Sequence, residues 1–325
     1  MIKISFMYII ILFLIPFVVE CIFKGQVEIL LYLGGVGVVN AIFIILMLFV
    51  KPFQSFYLSL IDSATFDLVG GSEAIDSLMS LRLVGITGFS AYTTGFLQNI
   101  LALSMICYIH LSSKKIHVFY YISLGLIIIS AIAVARSAIV GTFIIAIISL
   151  FYFSFFRVFK IISIITFLSF LSVWGIINIL PQELSSFFIH WVTELFSSGM
   201  ETGSVKSNVS MFIYSPSDFN ILGFSKWYGD YGGYFMSTDI GWYRVLFSIG
   251  YLGLFIWMFF LVSLIGFDTL IKKNKTCILG WCILAYVFIM MFKGAVLFDS
   301  YQSIFVVGVI FYIIKRTRVN NYKRC

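Results

Sequence analysis

The stretch Thr238-Asp239-Ile240-Gly241-Trp242-Tyr243-Arg244-Val245-Leu246-Phe247-Ser248-Ile249-Gly250-Tyr251-Leu252-Gly253 decides how the chain reads, because a polar segment ends there and a membrane helix begins. Upstream lies Pro181–Tyr243, which carries Glu183, Glu194, Glu201, Asp218, Asp230, Asp239 and His190 among Trp, Tyr and Gly. Downstream, Tyr243–Ile265 is apolar and long enough to cross a bilayer. A segment rich in carboxylates and aromatic rings, hung between two spans, suits a large polar ligand at a membrane surface. Carbohydrate fits first, since sugars stack on rings and bond to carboxylates; a solvated linker is the plainer alternative.

Composition extends this reading to the whole chain. Apolar residues make up 61% and charged residues 11%, with apolar runs too long for a soluble core. Only a helix satisfies its own backbone in lipid, so each run of roughly 20 residues reads as a span. Spans are expected near Ile4–Ile22, Ile29–Val50, Ala91–Leu111, Val118–Ala135, Ser137–Phe155, Ile161–Leu180, Tyr243–Ile265, Cys277–Leu297 and Tyr301–Ile314. The expected fold is therefore an all-α polytopic membrane protein, one integral domain over 1–325. It would have about nine transmembrane helices, a large extracytoplasmic loop at 181–243 and a smaller one at 51–90. The first stretch lacks a small-residue cleavage site and reads as a span, not a signal peptide.

The basic residues orient these spans. Lys114, Lys115, Arg157, Lys160, Lys272, Lys273, Lys275 and the tail from Lys315 to Arg324 fall on one side, which the positive-inside rule makes cytoplasmic. Lys51–Ser90 and Pro181–Tyr243 fall outside and hold ten of the fourteen Asp and Glu. This places the C-terminus in the cytoplasm and the N-terminus outside, unless Phe53–Ile61 is re-entrant. The +7 net charge then belongs to a cytoplasmic rim facing lipid headgroups, which makes nucleic acid a poor partner. None of the five cysteines falls in the outer loops, so no disulfide framework is expected there. Cys277 and Cys282 read as apolar packing. No Gly-rich phosphate loop or zinc spacing stands out, no cofactor is implied, and Asp62 and Asp67 read as a metal pair or as solvated acids.

Three arginines remain outside the cytoplasmic set: Arg82, Arg136 and Arg244, each where a loop meets the outer end of a span. Arginine at membrane depth costs a few kcal/mol and usually faces a partner. Its planar fork suits diphosphate, so the three are expected to converge on one anion. Pairing with nearby carboxylates, or reaching to headgroups, is the alternative for each. Asp239 reads as a group orienting an acceptor hydroxyl, or equally as a helix cap or ion-pair partner. Asp230 and His190 are weaker candidates, and Ser185–Phe196 reads as an amphipathic helix on the membrane surface. Trp227, Tyr243 and their aromatic neighbours read as sugar platforms or interfacial anchors. Lys206 and Lys226 read as phosphate contacts or as balance for the loop acids. Lys293 is expected to pair with Asp299.

Three blocks resemble the O-antigen polymerase (Wzy-type) family and the related O-antigen ligases. Arg82-x-x-Gly85-x-x-Gly88 with Ser90 to Gly95 is similar to that family's Arg-x-x-Gly segment, without its Asn-Pro-Asn. Arg136-Ser137 with Gly141 resembles the entry to the family's next helix. Asp239-Ile240-Gly241-Trp242-Tyr243-Arg244 with Gly250 and Gly253 resembles the block after its large periplasmic loop. Asp239 stands where ligases tend to carry His, which favours polymerase. The resemblance implies a bacterial inner-membrane enzyme. It would transfer a glycan from undecaprenyl diphosphate to the next lipid-linked repeat unit at the periplasmic face, with a chain-length regulator as a possible partner. Arg82, Arg136 and Arg244 would hold diphosphate, and Asp239 the acceptor. A ligase, a lipid-linked oligosaccharide flippase and a structural export subunit are the rivals. Concentration of polar residues on one face favours the transferase.

Overall fold

A computed structural model describes residues 2–60, 83, 85–86, 91–112, 117–197, 203–229, 233–266 and 275–322. These residues are mainly helical, with no strand among them; an isolated bridge joins Tyr228 and Tyr234. The helices are α1 (Ile2–Phe17, widening into a π-turn over Val18–Ile22), α2 (Glu28–Phe49), α3 (Lys51–Ser59), α4 (Ala91–Leu111), α5 (Val118–Val134) and α6 (Ala138–Tyr152). Then follow α7 (Phe155–Ile179), α8 (Gln182–Ser197), α9 (Gly203–Ser210), α10 (Gly241–Ile265), α11 (Lys275–Met290) and α12 (Tyr301–Tyr322). Four of them, α2, α4, α7 and α10, are long and apolar enough to cross a membrane; α5, α6 and α11 are shorter apolar helices.

Helix α4 is the axis of the bundle. From Phe96 to Ile109 each side chain is buried, as expected of a helix apolar on all sides. Its few polar groups clasp neighbours. Gln98 donates to the Gly37 carbonyl on α2 and to Ser130 on α5, and Asn99 donates to the Ala138 carbonyl and to Tyr286 Oη on α11. Small residues let these helices approach: Gly37 faces Leu101, and Gly95 faces Ala135 and Ala138. Helix α7 lies on the outside and turns Phe156, Phe159, Phe167, Phe170, Trp174 and Ile177 outward. So much exposed apolar surface suits lipid, not water.

The packing sorts the helix ends. The start of α4 meets the end of α5 at Gly95 and Ala131, and the start of α6 at Ala138. Tyr286, near the end of α11, reaches that same start of α6. Gly241, opening α10, touches Gly294, just beyond α11. Tyr8 of α1 donates to the Leu297 carbonyl at 2.8 Å and stacks on Phe298. One end of the bundle thus gathers the starts of α1, α4, α6, α10 and α12 and the ends of α5 and α11. At the opposite end, Glu20 binds Tyr312 and Arg316 of α12. The start of α1 and the end of α12 therefore lie at opposite ends.

Two stretches depart from simple spans. The expected span Cys277–Leu297 stops at Met290, and Met291–Ser300 is irregular yet mostly buried, with Phe292 exposed. Close packing explains the stop: a Cβ on Gly294 would overlap the Tyr92 ring, and one on Gly241 would meet the Gly294 carbonyl oxygen at 2.5 Å. Within α10, Gly250 adopts φ 65°, ψ −172° and interrupts the helix. The segment 220–225 takes up the freed backbone groups. Tyr251 and Leu252 N–H donate to the carbonyls of Asn220 and Ile221, while Phe224 and Ser225 N–H donate to those of Phe247 and Ser248. A break in an apolar helix is tolerated where neighbouring protein restores such bonds.

Candidate functional site

The end of the bundle that holds the starts of α4 and α10 carries most of the buried charge. Arg244, in the first turn of α10, is only 2% exposed. Its Nη1 and Nη2 donate to Asp299 Oδ2 and Oδ1 at 2.8 and 2.7 Å. Tyr92, in the first turn of α4, donates to the same Oδ2 at 2.6 Å. The guanidinium lies between two rings, its Cζ 4.4 Å from the Trp227 centroid and 3.6 Å from that of Tyr234. A buried guanidinium needs this combination of bidentate carboxylate and ring faces to offset lost hydration. The site thus ties α4, α10, the irregular segment before α12 and the loop around Trp227 into one knot.

This knot corrects three expectations. Asp299 was expected to pair with Lys293; Arg244 occupies both of its oxygens instead, because the buried fork satisfies two acceptors at once. Arg244 was expected to hold diphosphate, with a carboxylate partner as the alternative; its two terminal nitrogens are committed to Asp299 and its faces to the rings. Trp227 was expected to be a sugar platform or an interfacial anchor; it is buried against Phe298 and Arg244. The sequence signal for the Arg244–Asp299 pair is weak, since 55 residues separate the partners.

Arg136 sits in the turn between α5 and α6 at the same end. Its Nη2 lies 2.6 Å from Glu194 on α8, with about a fifth of each side chain exposed. Arg136 and Arg244 therefore each face a carboxylate of their own. Arg82 lies outside the described residues, as do Asp230, Asp62 and Asp67. Beside Arg82, Ile86 N–H donates to Asn40 Oδ1 on α2 at 2.7 Å, and Gly85 packs so tightly on Asn40 that a Cβ would overlap it.

Asp239 is half-buried just before α10, and its N–H donates to Met211 Sδ at 3.5 Å. Lys293, in the irregular segment, is also half-buried. Burial pushes its ammonium below the ordinary lysine value, and the Asp239 carboxylate opposes that shift. Asn208 of α9 donates to the Phe292 carbonyl at 3.2 Å, while its Oδ1 is buried without a hydrogen-bond partner. Tyr243 is half-buried in a ring cluster with Phe212, Tyr214 and Phe219, and its hydroxyl donates to the Tyr214 carbonyl. His190 stands exposed on α8, within the stretch expected to be an amphipathic helix. Lys206 on α9 is exposed, and Lys226 is exposed over the Phe235 ring. Ile221 and Leu222, at the tip that repairs the α10 break, are about 70% exposed beside the outward-facing Tyr251 and Leu252.

The arrangement offers a carboxylate and an ammonium close enough to interact electrostatically, an arginine with a carboxylate that a stronger anion could displace, and an apolar tip beside a membrane helix. No protein family, curated protein or solved structure matches the chain.

Proposed function

We propose that the chain is a polytopic glycosyltransferase of the O-antigen polymerase type, acting on undecaprenyl-diphosphate-linked glycan at the outer face of a bacterial inner membrane. The observation that carries this reading is the meeting of two sequence blocks at the first turns of α4, with the third docked on α2. Ala138, two residues after Arg136, packs on Gly95, Arg244 reaches Tyr92 through Asp299, and Gly85 and Ile86 dock on Asn40. These are the blocks that resemble the polymerase family, and the fold brings residues about 160 positions apart, from Gly85 to Arg244, onto neighbouring helices.

In this reading α1, α2, α4 to α7 and α10 to α12 are nine crossings, and residues 181–243 form the large outer loop. The end bearing Arg157, Lys160, Lys315 and Arg316 faces the cytoplasm. The acceptor hydroxyl oxygen forms a bond to the donor sugar C1 as the bond from C1 to the phosphate oxygen breaks. The lipid diphosphate leaves with the electron pair, and the hydroxyl proton passes to Asp239. Positive charge grows at C1 and negative charge on the leaving oxygen, so cationic donors at the diphosphate accelerate the step. Arg136, with Arg82, takes that role. Arg244 positions the loop that carries Asp239. The polyprenyl tail lies along the apolar tip at Ile221 and Leu222.

The surface-glycan profile of cells lacking the protein tests this reading. The expected result is a surface glycan one repeat unit long with no ladder above it. A unit trapped inside the cell indicates a flippase, and polymer left on carrier lipid indicates a ligase. Loss of the single-unit band together with the ladder overturns the polymerase reading.

A further inference from the structure

Outside the Arg244 knot, one group of polar side chains has chemistry without partners. Among the described residues, no carboxylate lies within ion-pair distance of the Lys293 ammonium, and the Asp239 carboxylate accepts no hydrogen bond. Asn208 Oδ1 is a buried acceptor with no donor. Such a group ordinarily costs about 1–3 kcal/mol, so an unmade bond of this kind calls for an explanation. The three belong together. Asn208 is tied to Phe292, the neighbour of Lys293, and Met211, one turn beyond Asn208, is tied to Asp239.

We propose that Asp239, Lys293 and Asn208 form the subsite for the acceptor sugar, a neutral polyhydroxylated ring whose hydroxyls they bind. The donor and acceptor pattern selects this class. Two oxygen acceptors and one ammonium match neighbouring hydroxyls, which donate to the first two and accept from the third. A phosphate group fits worse, because Asp239 would repel it and Asn208 would offer it an oxygen. The surroundings agree: Phe212 packs 5.7 Å from Tyr243 and 6.3 Å from Phe292, which places apolar ring faces beside the polar groups. Lys293 also sits where the buried segment Met291–Ser300 holds its backbone rigidly, as a preorganised site requires. This inference rests on the transferase reading and adds to it the residues that grip the acceptor.

The test complements cells lacking the protein with Lys293→Met, Lys293→Arg and Asn208→Ala and reads the surface-glycan ladder against protein abundance in the membrane. Lys293→Met and Asn208→Ala should lower polymer at least tenfold at wild-type abundance, and Lys293→Arg should retain most of it. Raising the supply of the lipid-linked repeat unit should partly restore Asn208→Ala, which a folding defect would not allow. Full ladders from both Lys293→Met and Asn208→Ala overturn the subsite. If Lys293→Met fails to accumulate, the contrast between Lys293→Arg and Asn208→Ala decides: equal, full ladders overturn it. A deletion strain that keeps its ladder overturns the transferase reading itself, which separates the two failures.

Discussion

Both terminal nitrogens of Arg244 donate to Asp299, one to each carboxylate oxygen, and the pair is closed in by Trp227 and Tyr234. Such a pair holds its surroundings because neither partner tolerates losing the other. Its value is positional: it fixes the start of α10 against the segment that leads into α12.

Removing one partner should therefore be costly. Arg244→Met or Asp299→Leu alone leaves a buried charge and should destabilise the protein by about 3–5 kcal/mol. The double variant Arg244→Met with Asp299→Leu should recover much of that loss. Thermal unfolding of the purified protein in detergent checks this. A double variant no more stable than either single one would show that the pair is not the source of the effect.

Arg136, with Arg82, is the arginine proposed for the leaving diphosphate. Arg136→Ala should abolish the glycan ladder, since a lost bidentate contact to the leaving diphosphate corresponds to roughly a thousandfold in rate. Arg136→Lys should rescue poorly, having no fork. Glu194→Gln should keep the ladder, because it removes only the resting partner of Arg136. A wild-type ladder from a stably inserted Arg136→Ala protein excludes this role.

Gly250 should be irreplaceable on two grounds. Its φ of 65° with ψ of −172° lies in a region essentially restricted to glycine, where a side chain costs about 1–3 kcal/mol. A Cβ there would also overlap the Ile221 carbonyl oxygen and the Gly223 nitrogen. Gly250→Ala should lower membrane abundance sharply. Gly233→Ala is the control, since a Cβ there meets nothing within 4 Å. Equal abundance of the two variants would argue against the interrupted helix.

The two ends of the bundle should label from opposite sides of the membrane. Cys21 and Lys315 lie at the end opposite Ser217, and all three are exposed. In a Cys21→Ser background, an impermeant thiol reagent applied outside should modify Ser217→Cys and spare Lys315→Cys. Labelling of both from one side would contradict the arrangement.

The sequence makes the helices legible and their interruptions illegible. Hydropathy marks where α2, α4, α7 and α10 run, because burial in lipid acts on each residue separately. The gap at Gly250 leaves no such mark: the apolar run continues through it, and only the bonds from 220–225 reveal it. Position along the chain favoured Lys293 for Asp299, whereas folding delivered Arg244 from 55 residues away. Trp227 reads as a sugar platform by composition and is instead one jaw of the guanidinium clamp. Asp239 stands out in the sequence because it lies at a polar-to-apolar boundary. Asn208 carries no such signal.

The break at Gly250 also bears on the order in which the protein is made. The four backbone bonds that complete α10 come from residues 220–225, which leave the ribosome before the helix does. The partner strand is thus already available when the helix arrives, and the two can dock as a hairpin of about thirty residues. Reversing that order, by splitting the chain in the loop between residues 225 and 241 and making the second piece first, would leave its mid-helix peptide groups bare in hydrocarbon until the first piece arrived. A chain split and expressed in that order should therefore insert poorly, even though its finished fold would contain every contact of the original.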